Sequence, residues 1–342
     1  MSVKKISVNQ LDDWVDSLVK QQKVVGVTAK DDRFVFAPLI QAKDLRLDYD
    51  ITIIPPKSYL QPPKEPILTF KSGVGYESIV DSEPFVLFGV HPYDLVAILQ
   101  MDDIFSRDHY DVHYMTRRAN TTIVAVDVQK VSRDIFAGYM GTSHVENGYD
   151  VLLTRIGDDY IVDAKTDKGE ALIEGISQVP DASESWIEQR TLVWEHNKQR
   201  LRKHELKAEP SKWPQLLEDA YEHPVWEERS KNCFSCGSCN LVCPTCYCFD
   251  VRDELNWDIE TGQRSRFWDG CMLTNFATVA GNLNFRKSVV DRYLHRYYRK
   301  GKYVPSKING QIACVGCGRC ITACVANIAN PVEVFNRLAE GK

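Results

Sequence analysis

The sequence has no cysteine in its first 232 residues, although the 342-residue chain contains 11. All of them lie between Cys233 and Cys324. A region of that length that folds without cysteine needs no disulfide framework. We therefore expect the cysteines to serve a local purpose in the C-terminal third and not to hold the whole protein together.

Long apolar segments are also missing. No run approaches the roughly 18 residues that a transmembrane helix needs. Residues 1–5 lead into a polar segment, without the apolar core and cleavage site of a secretion signal. The sequence therefore predicts a cytoplasmic protein without a membrane span.

Patterns for catalysis and nucleotide binding are absent as well. The glycines of residues 72–76 lack the full spacing and the strand–turn–helix context of a dinucleotide fingerprint. The eight histidines show no zinc-protease spacing, and the sequence offers no Ser–His–Asp or paired-carboxylate arrangement. We therefore predict no catalytic residue in this chain.

Residues 1–185 have the pattern of a mixed α/β domain. Helical spacing over 9–19 starts at Asn9, the expected N-cap. The apolar run 84–90 predicts a buried strand, and Pro92 suits the first turn of a helix over 95–104. Further strands are predicted at 24–27, 33–36, 51–54, 67–70, 122–126, 149–153 and 160–162, the last two as a hairpin.

Residues 186–230 are highly charged but keep an apolar face. Trp and Leu side chains provide that face, which predicts connecting helices and not a flexible linker. The residues concerned are Trp186, Leu192, Trp194, Trp213, Leu216 and Leu217.

Two cysteine runs in the C-terminal third share the spacing C-x2-C-x2-C-x3-C. In two-cluster ferredoxins, three thiolates of such a run bind one 4Fe–4S cluster and the fourth cysteine binds the other cluster. We expect Gly237, Gly316 and Gly318 to let the backbone approach the inorganic sulfides. The first predicted ligand set is Cys233, Cys236, Cys239 and Cys324, and the second is Cys314, Cys317, Cys320 and Cys243.

Structural zinc and disulfides fit these runs less well. A structural zinc ion uses one tetrahedral set and would leave half of the eight cysteines without a role. Disulfides do not persist in a reducing compartment. Cys246, Cys248 and Cys271 lie outside the runs. They are expected either to bind another metal with a non-cysteine fourth ligand or to pack as small buried groups.

Charge is unevenly distributed along the chain. The net charge of the chain is −5, yet residues 231–342 contain 15 Lys and Arg but only 9 Asp and Glu. A basic half is typical of nucleic-acid binding. Two clusters, each with about two negative charges, would nearly neutralise it, so we expect no nucleic-acid partner. The basic stretch 286–302 predicts a solvated amphipathic helix, or a surface for docking or for balancing cluster charge.

The predicted fold class is α+β. The insert between the two cysteine runs, about 70 residues long, is largely helical in pattern and longer than in a compact bacterial ferredoxin. We therefore expect a mixed α/β domain over 1–185, a helical connector over 186–230, and a helical ferredoxin-like domain with two 4Fe–4S clusters over 231–342.

These motifs resemble the iron–sulfur beta subunits of cytoplasmic nickel–iron hydrogenases (sulfhydrogenases) and, equally, the iron–sulfur subunit of anaerobic sulfite reductase. The resemblance covers nearly the whole chain, and its C-terminal motifs are the more specific ones. The segments that carry it are 89–95, 117–121, 139–142, 223–226, 233–248, 268–271, 284–287 and 314–320.

The resemblance implies an electron-transfer subunit with no substrate chemistry of its own. Such a subunit relays electrons between a flavin subunit that uses NAD(P)H or ferredoxin and a catalytic metal subunit of the hydrogenase or sulfite reductase type. Many relatives carry cysteines where this chain has Tyr93, Val128, Ile135 and Ala137. These side chains cannot bind iron as thiolates do, so residues 1–185 are expected to form a docking domain without a cluster.

Two alternatives to a relay remain open. The first is an iron–sulfur redox sensor, in which loss of a cluster alters the binding of a partner. The second is a flavin-binding oxidoreductase subunit with its own active site in the N-terminal domain. Two cross-ligated clusters favour the relay over the sensor, and the missing nucleotide motif counts against the flavin enzyme.

Overall fold

The computed structural model describes residues 3–176 and 179–341, which form a mixed α/β fold with two main β-sheets. The strands are β1 (Val3–Ser7), β2 (Val24–Lys30), β3 (Arg33–Pro38), β4 (Lys64–Lys71), β5 (Gly75–Ser78), β6 (Phe85–Val90), β7 (Thr121–Val126), β8 (Val151–Ile156), β9 (Asp159–Ala164), β10 (Phe249–Leu255), β11 (Thr261–Trp268), β12 (Thr278–Val279) and β13 (Leu283–Asn284).

Eleven α-helices lie within these described residues, and none of them is both long and apolar enough to cross a membrane. They are α1 (Val8–Gln21), α2 (Pro92–Ser106), α3 (Val112–Ala119), α4 (Asp167–Ile173), α5 (Glu184–Arg200), α6 (Trp213–Leu216), α7 (Val225–Ser230), α8 (Ser238–Leu241), α9 (Val289–Tyr298), α10 (Arg319–Thr322) and α11 (Pro331–Glu340). A single π-helical turn, Arg299–Tyr303, extends α9.

The seven-stranded sheet organises the N-terminal half. Its strand order is β1-β9-β8-β7-β6-β2-β3, in which β2, β6, β7 and β8 are parallel and the outer pairings are antiparallel. All six residues of β6 are buried. This continuous apolar pattern is typical of a strand covered on both faces of a parallel sheet. The predicted β-α-β unit from strand 84–90 to strand 122–126 is thereby confirmed.

Local details depart from the sequence predictions. The N-cap of α1 is Ser7 and not Asn9, because Ser7 and Gln10 form a reciprocal capping box. Residues 51–54 form no strand, and Thr52 makes only one isolated bridge, to Phe34. Helices α6, α7 and most of α5 lie in the predicted connector 186–230, whereas residues 201–209 are not helical.

The four-stranded antiparallel sheet joins the two halves of the chain. Its order is β10-β11-β4-β5, so strands from the N-terminal half pair with a hairpin from the insert between the cysteine runs. The buried carboxylate of Glu65 accepts hydrogen bonds from Arg117 and Arg266 at 2.5 Å each. This sheet crosses the predicted division between residues 1–185 and 231–342.

The insert is not largely helical. It contains β10 to β13 as well as α9, so the helical character expected for residues 231–342 is not confirmed. Strand β10 exposes most of its residues, with Phe249, Val251 and Leu255 on one face and Asp250, Arg252 and Glu254 on the other. Its apolar and polar residues alternate as in a strand, so this signal was present in the sequence, although pairing with β11 and not burial holds the strand in place.

A second hydrophobic core lies beneath the cysteine region. It combines side chains of the connector with those of α9 and α11, and in it Trp213 stacks on Phe335 with ring centroids 3.6 Å apart. The connector therefore packs against the C-terminal third and fixes the helices that flank the cysteine runs.

Candidate metal centres

The structure places the first predicted ligand set around one cavity. Its thiols line a space with an empty volume of about 380 Å³, although Cys324 is far from the other three in sequence. Helix α8 follows Cys236, and helix α10 ends just before Cys324. The cavity residues from the first set are Cys233, Cys236, Cys239 and Cys324.

The second ligand set lines another cavity, with an empty volume of about 470 Å³. Here too, one cysteine of the opposite run joins three of the local run. The cysteines are Cys314, Cys317, Cys320 and Cys243. The crossed arrangement predicted from the spacing thus matches the way in which the chain gathers the eight thiols, and their ligation of iron stays a prediction.

Glycine is required at one equivalent position in each run. Gly237 and Gly318 occupy the N-caps of α8 and α10 with φ of 73° and 81°. A Cβ on Gly318 would lie 2.3 Å from the carbonyl oxygen of Asp134, and one on Gly237 would lie 2.7 Å from Leu273. Protein atoms thus impose these glycines, a cause that the sequence prediction did not include.

The two cavities differ in exposure. Cys236 of the first set is exposed, whereas Cys243, Cys317 and Cys320 of the second set are buried. Thr142 of the N-terminal half donates a hydrogen bond of 2.7 Å to the carbonyl of Val315 and helps to close the second cavity. The first site therefore lies near the surface and the second lies in the interior.

Burial also controls the thiols. It raises the pKa of Cys239 and Cys314 to about 11 and that of Cys317 to about 12. Hydrogen bonds from Ser238 lower the pKa of Cys236. Without metal, the thiols of Cys239, Cys314 and Cys317 are therefore protonated at neutral pH, and iron must displace their protons to bind.

Arg296 supplies a test of whether an iron–sulfur cluster fits these cavities. The residue is 3% exposed, and its Nε and Nη1 atoms have no hydrogen-bond partner among the described residues. It lines the second cysteine cavity together with Lys300. An uncompensated buried guanidinium is costly, and a cluster with four thiolates is an anion. The arrangement fits an anionic cluster.

The placement of these two cations was not predicted from the sequence. The cations at 296 and 300 were expected on a solvated helix or on a surface for docking or charge balance, yet both line a cavity inside the protein. Residues four apart lie on one face of a helix. The spacing of Arg296 and Lys300 is therefore the only feature of the sequence that indicated a shared position for these two cations. Of the alternatives for 286–302, the balancing of cluster charge agrees best with this placement.

The role of Arg319 was not predicted either. It forms a bidentate ion pair with Asp94 of α2, at 2.6 and 2.7 Å, and it donates to the carbonyl oxygen of Thr52. Both charged side chains are buried. The pair joins the second cysteine run to the N-terminal half, and its long-range nature left no local pattern to recognise.

The four positions at which the resemblance predicts cysteines in relatives also come together. Their side chains form one buried apolar cluster that includes Cys317 and Val315 of the second run. The residues are Tyr93, Val128, Ile135 and Ala137, each at most 1% exposed. The described structure thus fills this place with packed side chains, and the absence of a cluster from residues 1–185 stays a prediction.

Cys246, Cys248 and Cys271 line a third cavity, with an empty volume of about 330 Å³.

A separate open groove, with an empty volume of about 1100 Å³, lies at the carboxyl end of β7, where Asp127 and Arg200 face it. Ligands of α/β sheets bind at such ends. The alternative of a flavin-binding subunit with its own active site therefore stays a prediction, and this groove is where a flavin would be expected to bind.

Comparison with known proteins adds two findings. Residues 232–328 match the model of the 4Fe-4S dicluster domain. Sulfhydrogenase 2 subunit beta of Pyrococcus furiosus is 30% identical over 338 residues, which cover 98% of each chain. No solved structure matches. With this agreement along its full length and with its dicluster domain, the chain belongs to the family of iron–sulfur hydrogenase beta subunits.

Proposed function

We propose that this protein relays electrons inside a multi-subunit complex, through one 4Fe–4S cluster in each four-cysteine cavity. The two ligand sets, each completed by a cysteine from the opposite run, are the observation that carries the proposal. A bound 4Fe–4S cluster takes up and releases one electron at a time. The partners would be a reductase subunit that binds flavin and uses NAD(P)H or ferredoxin, and a catalytic metal subunit of the hydrogenase or sulfite reductase type.

The exposed first site is the expected contact with one partner. Phe234 and Val325 line its cavity and are 73% and 82% exposed. Arg292 donates to Ser235 and to the carbonyl of Arg286, which fixes the neighbouring surface. Exposed aromatic and apolar side chains are typical of the centre of a protein interface. A partner docked here would cover Cys236 and bring its own cofactor close to the first cluster.

The buried second site is suited to holding an electron away from water. Arg296 and Lys300 line it, and Lys300 donates a hydrogen bond of 2.6 Å to Thr245. Buried cations favour the reduced, more negative state of a cluster and so raise its reduction potential. A protected cluster between two partners agrees better with a relay than with a sensor, whose cluster must be easily lost.

Two measurements on the anaerobically purified full chain test this function. The chain alone should reduce neither NAD(P) nor sulfite and should evolve no hydrogen, whereas the native complex should contain a flavin and a separate catalytic metal subunit. Cys236→Ala should abolish electron transfer between the chain and its reductase partner, and Lys231→Ala, at an exposed residue that does not line the first cavity, should preserve it. Turnover by the isolated chain would contradict the relay.

A further inference from the structure

A third cysteine cavity lies beside the two sites of the proposed relay. Cys246 and Cys248 reach it from the segment after the first run, and Cys271 reaches it from the segment after β11. Its empty volume of about 330 Å³ is close to the 380 Å³ of the first four-cysteine cavity. The space is therefore comparable with one already suited to a cluster.

The backbone of the cysteine segment is fixed from outside the cavity. Lys57 donates to the carbonyl of Cys246, and Gln61 donates to the carbonyl of Tyr247 at 3.0 Å. The carbonyl of Cys248 accepts from the backbone of Asp269 at 3.1 Å. Because three successive carbonyls are held by neighbours, both cysteine side chains are held in place at the cavity wall.

Cations form another part of the wall. Arg296, Arg299 and Lys300 line the cavity, and no Asp or Glu does. Among the described residues, none of the three forms an ion pair with a carboxylate. Arg296 and Lys300 also line the second cavity, whereas Arg299 lines this cavity and neither four-cysteine cavity. The charge of Arg299 would thus lack compensation even with both four-cysteine sites occupied, so the occupant here is expected to be an anion.

Simple packing of the three thiols does not explain this arrangement. Packing groups are expected among apolar neighbours, whereas these thiols share their cavity wall with Arg296, Arg299 and Lys300. A single zinc ion also fits poorly, because no group of three or more His, Cys, Asp or Glu within residues 3–176 and 179–341 is placed to hold one ion. The same holds for the two four-cysteine sites. A polynuclear cluster spreads its ligands farther apart than a single ion does.

We propose that Cys246, Cys248 and Cys271 hold a third iron–sulfur cluster, with one iron that no cysteine of the described chain binds. Asn240 points its amide at this site, with Nδ2 3.3 Å from Sγ of Cys271 and 3.7 Å from Sγ of Cys246. Hydrogen bonds to cluster sulfurs tune the reduction potential. This site goes beyond the proposed two-cluster relay and does not depend on it.

The third site continues the electron path. The thiols of Cys246 and of Cys243, a ligand of the second site, lie within hydrogen-bond reach of each other. Arg296 and Lys300 line both cavities. Cys271 also lies near enough to Cys239 of the first site for their charges to interact. The third site therefore adjoins both four-cysteine sites.

Counting iron and acid-labile sulfide in the anaerobic full chain tests the third site. The wild type should contain about twelve irons per chain, and a variant that combines Cys246→Ala, Cys248→Ala and Cys271→Ala should contain about eight, with the interacting signals of the first two clusters retained. Equal counts of about eight in both would overturn the third site and leave the relay intact. About four irons in the wild type, lost in the variant, would support the third site and contradict the relay.

A single substitution gives an independent measurement if the triple variant does not fold. Arg299 lines the third cavity and neither four-cysteine cavity. Arg299→Gln should lower the reduction potential of one cluster and leave the other two unchanged, because a cation that favours the reduced state is lost. Arg252→Gln, at an exposed pair with Asp250, is the control. The proposal would be refuted if the third site contained zinc and not iron. It would also be refuted if no cluster of Arg299→Gln differed in reduction potential from the wild type.

Discussion

Replacing Arg319 with methionine removes one half of a buried ion pair between the second cysteine run and α2. Arg319 and Asp94 are 2% and 0% exposed, and their two hydrogen bonds measure 2.6 and 2.7 Å. Removal of one partner leaves a buried charge without compensation, which typically costs about 3–5 kcal/mol. At about 2–4 °C per kcal/mol for domains of this size, the apparent melting temperature should fall by roughly 10 °C.

The assay is anaerobic thermal unfolding followed by circular dichroism at one fixed scan rate, since the unfolding of cofactor proteins is often irreversible. Arg264→Met is the matched control, because Arg264 makes the same two-bonded contact with Asp253 at the surface. It should change the melting temperature little. A drop for Arg319→Met that is no larger than the drop for the control would refute the role of the buried pair.

The pH dependence provides a second check on the same variant. Burial raises the pKa of Asp94 even though Arg319 opposes the shift. Without Arg319 the folded-state pKa rises further, so the variant loses stability as the pH rises from the unfolded value toward that folded value. The gap in melting temperature between wild type and variant should therefore be wider at pH 8 than at pH 5. Combining Arg319→Met with Asp94→Leu should recover part of the loss, because no buried charge then remains.

Cys324→Ala should remove the iron of the first site and spare the second, since Cys324 lines the first cavity; spectroscopic loss of only the second cluster would contradict the crossed ligand sets. Gly318→Ala should lower the iron content and the melting temperature, because its Cβ would lie 2.3 Å from a backbone oxygen, whereas Gly341→Ala, with positive φ but open space, should cost less. Burial raises the pKa of Asp127 to about 6. Wild-type stability should thus fall as the pH rises from about 4 to 6, a slope that Asp127→Asn removes, and an unchanged slope in that variant would refute the assignment.

The features that could be predicted from the sequence are those with a local pattern. The run 84–90 and Pro92 predicted β6 and the start of α2, because apolar strands and first-turn prolines depend on neighbouring residues. The two cysteine runs predicted which thiols share a cavity, because the spacing itself determines which cysteine of a run points away from the other three.

The features that could not be predicted depend on residues far apart in sequence. Residues 51–54 are apolar enough for a strand, but Thr52 instead receives Arg319 from the other end of the chain. Arg296 looks like a surface residue until the cysteine-lined cavities beside its helix are known. In each case the deciding partner is distant, and single-sequence patterns do not contain it.

Strand β4 has a consequence for the synthesis of the chain. Its partner β11 lies far downstream, and the contact between Glu65 and Arg266 spans 201 residues. At a translation rate of about 5–20 residues per second, β4 must wait roughly 10–40 s for that partner to leave the ribosome. Until β11 is synthesised, β4 has an unpaired edge. Lys64, Pro66 and Lys71 belong to this strand, and lysine and proline discourage incorrect pairing of unpaired strands. Because β11 is synthesised after the first cysteine run and before the second, the sheet can form before the crossed ligand sets are complete. We therefore expect cluster insertion to be a late step of assembly.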